Sequence, residues 1–153
     1  YEGLTRPSSV GPQWTGKIKL VHEALDEPLR WRASRLVFVN SMSDLFHESL
    51  TNEQIASGRG VMAASPQHTF QVLTKRPQRM ADWFADPFWV ERVAELAEER
   101  WDRMGTKAKR AAGSWWADGA WPLPNVWLGT SIESDRWTFR ANHLRRTPAA
   151  TAR

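Results

Sequence analysis

The residues of this chain whose types could do chemistry fall in short polar clusters, each directly after an apolar run. Asn40-Ser41-Met42-Ser43-Asp44 follows one such run, and Thr74-Lys75-Arg76 ends a second. Thr130-Ser131-Ile132-Glu133 ends a third, and His22-Glu23 follows a weaker fourth. Asn40, Ser41, Ser43, Asp44, Thr74, Lys75, Arg76, Ser131 and Glu133 together supply an amide, hydroxyls, acids and cations. Such a mix can orient a polar ligand, an anionic one included, by hydrogen bonds and charge, with no general acid or base assigned.

Each candidate also has a structural explanation. Asn40, Ser41 and Ser43 are equally suited to turn and cap hydrogen bonds, and Asp44 to a local cap. Lys75-Arg76 reads as solvent-facing charge, yet it precedes Pro77, where a helix N-terminus already attracts an anion. Asp44 and His47, three residues apart, could share a metal ion, but two ligands are too few for a site. His22, His68 and His143 have no partner spacing and read as structural or surface residues. No Walker loop, G-x-G-x-x-G, H-E-x-x-H or nucleophile elbow is present.

Four strands and the helices between them must position these clusters. Lys17–His22 alternates polar and apolar residues, as a half-buried strand does. Leu36–Ser41 and Thr69–Thr74 are β-branched and aromatic and predict deeper burial. Val126–Ser131 is the fourth, behind Pro122 and Pro124. Thr51 with Gln54 predicts a capping box opening a helix that stops at Pro66, weakened by Gly58 and Gly60. Pro77 suits the first turn of a helix bearing Met80, Trp83 and Phe84. Val90, Val93, Leu96, Ala97 and Trp101 mark a longer amphipathic helix. Residues 105–119, with Trp115-Trp116 as the pair expected at the surface, read as a surface insertion. A last helix is expected from Ser134, carrying Trp137, Phe139 and Leu144. Strand–helix alternation predicts an α/β fold with about four parallel strands, whose ligands meet the strand carboxyl ends.

The 153 residues suit one domain, and a 41% hydrophobic, 25% charged composition is that of a folded chain. No run approaches the ~18 apolar residues of a membrane span. The opening Tyr1 is followed by no basic-then-apolar leader, which favours the cytoplasm and suggests a start inside a longer reading frame. The absence of cysteine excludes a disulfide framework, a thiolate nucleophile and cluster ligation by this chain alone. The ten tryptophans follow no base-stacking module and read as packing residues. The net charge of +4 resides in Ser134–Arg153, with five arginines and one acid, leaving 16 basic and 16 acidic residues elsewhere. Glu95–Glu99 with Arg100–Arg103 reads as a solvated, self-compensating helix face.

Three segments carry a resemblance. Phe38–His47, His68–Arg76 and Asn125–Glu133 resemble a phage and prophage family of radical-SAM-like barrels. Tyr1–Thr5, Pro28–Trp31 and the Phe139–Arg145 region support the likeness, which runs in order over nearly the whole chain. The resemblance implies an incomplete (β/α) barrel of radical-SAM/TIM type, with the strand-end residues in a ligand cavity. It implies S-adenosylmethionine and a four-iron four-sulfur cluster for the intact family, the cluster held by an N-terminal cysteine loop. This chain has no such loop, so the expectation is a central fragment that is not catalytically competent alone. Four strands cannot close an eight-unit barrel of roughly 200–250 residues. The alternative is a non-catalytic nucleic-acid-binding module using Arg136, Arg140, Arg145 and Arg146. A third, weaker option is a metal-dependent barrel enzyme built on Asp44 and His47.

Overall fold

The computed structural model describes residues 3–18, 20–104, 121–148 and 151–152. The insertion expected at 105–119, with Trp115-Trp116, lies outside the described residues. The chain opens with a two-residue antiparallel hairpin, β1 (Thr5–Arg6) against β2 (Gln13–Trp14). A short helix α1 (His22–Leu25) and a 3-10 turn (Glu27–Arg30) follow.

Among the described residues of 17–22, the strand expected at Lys17–His22 does not form. Gly16, at φ 76°, turns the chain out of the hairpin, Ile18 packs on the core and His22 starts α1. Alternation over six residues reports one apolar side but not a partner edge, and a strand exists only with a ladder to join.

The main sheet comprises β3 (Leu36–Val39), β4 (Thr69–Thr74), β5 (Val126–Thr130) and the two-residue β6 (Thr151–Ala152). All neighbours are parallel and in sequence order, β3-β4-β5-β6. The sheet is open: these strands form no closed barrel among the described residues.

Between β3 and β4 runs α2 (Asn52–Ala64). Its capping box forms as expected: Gln54 N–H donates to Thr51 Oγ1 at 3.2 Å, and Thr51 N–H to Gln54 Oε1 at 2.8 Å. Such a cap is worth about 1 kcal/mol. Between β4 and β5 stand α3 (Pro77–Ala85) and α4 (Pro87–Met104). Gly60 has a packing reason to interrupt α2: an added Cβ would lie 2.8 Å from Leu96 Cβ on α4. Trp101 Nε1 donates to Ala64 O, and Asn125 Nδ2 to Met62 O, so the last carbonyls of α2 are satisfied by α4 and the approach to β5.

Register divides the sheet into two unlike faces. Val37, Val39, Phe70, Val72, Val126 and Leu128 turn to one side, where the helices bury them with Ile55, Met80, Trp83, Val93 and Leu144. Leu36, Phe38, Gln71, Leu73 and Trp127 turn to the other, and none belongs to the helix-packed core. The expected deep burial of Leu36–Ser41 is therefore corrected. β3 ends at Val39 and lies at the sheet edge, with Leu36 62% and Phe38 49% exposed.

Two further expectations change. The last helix is broken into a 3-10 turn (Asp135–Trp137) and α5 (Arg140–Arg146). Arg100 does not join a solvated face. It is buried, donating to Asp26 Oδ1 at 3.0 Å, Leu96 O and Ser57 Oγ, while exposed Glu53 and Glu95 pair with Arg92 instead.

Candidate functional site

Parallel strands send their carboxyl ends to one rim, so the polar clusters after β3, β4 and β5 meet there. At the centre is Asp44, a buried carboxylate that accepts four hydrogen bonds. Phe46 N–H and Thr74 Oγ1 donate to its Oδ1 at 2.9 and 2.8 Å. Lys75 N–H and Arg76 Nη1 donate to its Oδ2 at 3.0 and 3.1 Å. The Thr74 hydroxyl in turn accepts from Arg76 N–H at 2.9 Å. Asp44 thus fixes the end of β4 and the start of α3 to the loop after β3. With its acceptor sites filled, it acts as a positioning residue.

The β5 end is joined by a second set of contacts. Ser131 N–H and Thr130 Oγ1 donate to Thr74 O at 3.1 and 2.9 Å. Lys75 Nζ pairs with Glu133 Oε1 at 2.7 Å, and Arg140 Nη1 reaches Glu133 Oε2 at 3.0 Å and Ser131 O at 2.8 Å. The Lys75 ammonium holds the Glu133 carboxyl below its ordinary range. This bridge is solvent-exposed, unlike the Asp44 contacts. Thr74, Lys75, Arg76, Ser131, Glu133 and Asp44 are thereby brought together.

Asn40, Ser41 and Ser43 lie beside this network, exposed and outside its side-chain contacts. They build the turn leaving β3, where Ser43 N–H donates to Asn40 O at 3.1 Å. Asn40 takes a left-handed backbone, φ 57°, which asparagine tolerates better than most residues. His47 Nδ1 accepts from Ser49 N–H. Among the described residues no three His, Asp or Glu side chains gather as a metal site. His68 is a structural residue: buried, it accepts from Arg35 N–H at Nδ1, and its Nε2 meets Pro28 O at 2.9 Å.

Sequence reasoning missed Glu48 and Arg79 and misplaced Arg140. Arg76 Nε donates to Glu48 Oε1 at 2.6 Å, and this bond holds the Glu48 carboxyl down at about 2. The same bond is the largest cause raising the Arg76 guanidinium. Arg79, one turn beyond Arg76 on α3, donates to Phe46 O, His47 O and Leu50 O, closing the loop after β3. That i, i+3 spacing was the available signal. Arg140 is buried, bonded to Glu133 and stacked 4.2 Å from the Trp137 ring centroid, so it is withdrawn from the expected four-arginine surface. Arg136, Arg145 and Arg146 stay exposed, with Arg136 over Trp137 and Arg145 bonded to Asn142. Beside the rim, a cavity of about 380 Å³ is lined by Glu48, Lys75, Arg76, Arg79, Trp137 and Arg140 among others.

An open parallel sheet, helices packed on one face and a bonded polar rim at the strand carboxyl ends define an α/β protein. Residues 4–153 match the family described as "Protein of unknown function (DUF5131)", and the chain belongs to that family. The match brings with it no activity, no radical-SAM relationship and no phage origin. No curated protein and no solved structure matches the chain. Among the described residues no helix is long and apolar enough to cross a membrane.

Proposed function

We propose that the sheet is an arc of a radical-SAM-like (β/α) barrel and that its carboxyl-end rim forms part of a cavity for a small polar ligand. Three exposed apolar residues carry this reading. Parallel sheets are nearly always covered on both faces, yet among the described residues Leu36, Phe38 and Leu73 stand exposed on the face turned away from the helices. Closing the sheet with further strands turns that face into a packed interior. Sequential strand order with the helices outside is the arrangement such closure requires.

The rim's chemistry suits a zwitterion. The exposed Lys75–Glu133 bridge presents an ammonium and a carboxylate side by side, and an amino-acid head group can exchange with that pair, carboxylate to Lys75 and ammonium to Glu133. Asp44 and Arg79 hold the surrounding loop in place. S-adenosylmethionine, which the resemblance implies, has such a head group and fits these donors. The iron–sulfur cluster does not fit: its ligation needs thiolates, and the chain has no cysteine.

Calorimetric titration of S-adenosylmethionine into the folded chain tests the reading. Saturable binding that Lys75→Ala and Glu133→Ala each weaken at least tenfold is expected. Saturable binding indifferent to both substitutions, or none at all, overturns the rim as the ligand site.

A further inference from the structure

A second cavity lies away from the Lys75–Glu133 bridge, on the helix side of the sheet beside the free edge of β3. It measures about 380 Å³ and is walled by Val37 and Val39 of β3, Val61 and Met62 of α2, and Leu20 and Trp31 of the segment before β3. The cavity opens to solvent beside exposed Val21 and Phe38, and its volume falls in the range of small-molecule pockets, which begin near 300 Å³. Its lining is mainly aliphatic and aromatic. The polar side chains of Asn40, Ser43, Asp44, Gln54 and Glu27 also border it. Asp44 has its acceptor sites filled within the protein.

A vestibule of about 320 Å³ adjoins this cavity, sharing Ile18, Ser43 and Asp44 with it and adding Trp14, Lys17 and Met42. Lys17 makes no ion pair with a carboxylate among the described residues and borders only the vestibule. Glu27 borders only the deep cavity, where it disfavours a negative charge. The two compartments therefore differ in kind: a mainly apolar pocket with the exposed acid Glu27 at its border, and a mouth that carries Lys17. Cost decides the orientation of any occupant. An apolar body gains by leaving water for the interior, whereas an anionic group there would lose hydration and meet Glu27.

We propose that these joined cavities bind an amphiphile bearing one negative charge, its apolar body between β3, α2 and the segment before β3 and its anionic head at Ser43 and Lys17. The site does not depend on closure of the sheet into a barrel, and neither Lys75 nor Glu133 borders it.

Decanoate, decanol and decylammonium, each kept below its aggregation concentration, are titrated into the chain by calorimetry. One-to-one decanoate binding, at least tenfold tighter than decylammonium, is expected. Lys17→Glu, an exposed substitution, should weaken decanoate at least tenfold and change decanol less than twofold. Val61→Phe, which fills the cavity, should abolish binding of both, with circular dichroism and cooperative unfolding confirming that it folds; Lys17→Glu carries the test if it does not. No saturable decanoate binding, equal binding of decanoate and decylammonium, or indifference to Lys17→Glu overturns the proposal. Loss through Lys75→Ala with Lys17→Glu neutral overturns it too, placing the anion at the rim instead.

Discussion

Phe70 and Phe38 stand on adjoining strands of one sheet and meet opposite surroundings. Phe70 faces the helices and is 2% exposed, whereas Phe38 faces the opposite side and is 49% exposed. Both lie in short apolar runs, and neither run states which side receives helices. The same contrast recurs in charge. Asp44 is a buried carboxylate with four donors, while Glu133 is an exposed one bridged to Lys75 and Arg140. Burial separates a carboxylate enclosed by four donors from one whose ion pair stays open to water.

The sharpest way to break the comparison is to truncate both phenylalanines. Phe70→Ala is expected to cost about 3–5 kcal/mol in urea unfolding, through lost transfer energy and the cavity left among the helices. Phe38→Ala should cost less than about 1 kcal/mol, because half its surface is already in water. Equal losses would mean that the second face is packed. Phe38→Ala should also reduce self-association in sedimentation, since it trims an exposed edge strand.

Asp44→Ala comes next, at about 3 kcal/mol, because it leaves the Thr74 hydroxyl, the Lys75 amide and Arg76 Nη1 without their acceptor. Glu133→Ala should cost less than Asp44→Ala, because only its bond to buried Arg140 is lost from the interior, and a loss as large would erase the distinction between the two carboxylates. Thr51→Ala, away from the rim, should cost about 1 kcal/mol through loss of the capping box.

The smallest effect is a pH slope. The folded Glu48 carboxyl is held at about 2 by Arg76, below its unfolded value. Its contribution is present above the unfolded value and is lost as pH falls toward about 2. Glu48→Gln should flatten the acid limb of stability between pH about 4.5 and about 2, read by denaturant melts. Because Glu48 is exposed, solvent screening keeps the change small. An unchanged limb would remove Glu48 from the rim's electrostatics.

Much of the local structure was legible. Thr69–Thr74 forms the strand its β-branched and aromatic residues predict, the Thr51–Gln54 box opens α2, and Pro77 starts α3. These features depend on residues a few positions apart, and their physics is local. Lys17–His22 failed because alternation marks an apolar side without saying that the run will pair, and His22 is taken into α1 instead. Arg100 and Arg140 failed because an arginine on a helix reads as solvated until the carboxylates of Asp26 and Glu133 are seen beside it. Those partners lie 74 and 7 residues away, and only one of the two distances is short enough for a spacing rule to reach.

The candidate site divides the same way. That polar residues follow each apolar run was written in the sequence, and parallel pairing of those runs is what gathers them at one rim. Composition and short-range spacing determined three strand cores, the Thr51 cap, the lack of thiolates and part of the rim, Asp44, Thr74, Lys75, Arg76, Ser131 and Glu133. Each follows from composition or from contacts within one turn of chain. The tertiary fold decided that Asp44 is saturated while Glu133 stays exposed, that Arg140 turns inward, and that Leu36 and Phe38 face away from the helices. Those outcomes depend on which distant element lies across from a residue, and chain spacing does not encode that.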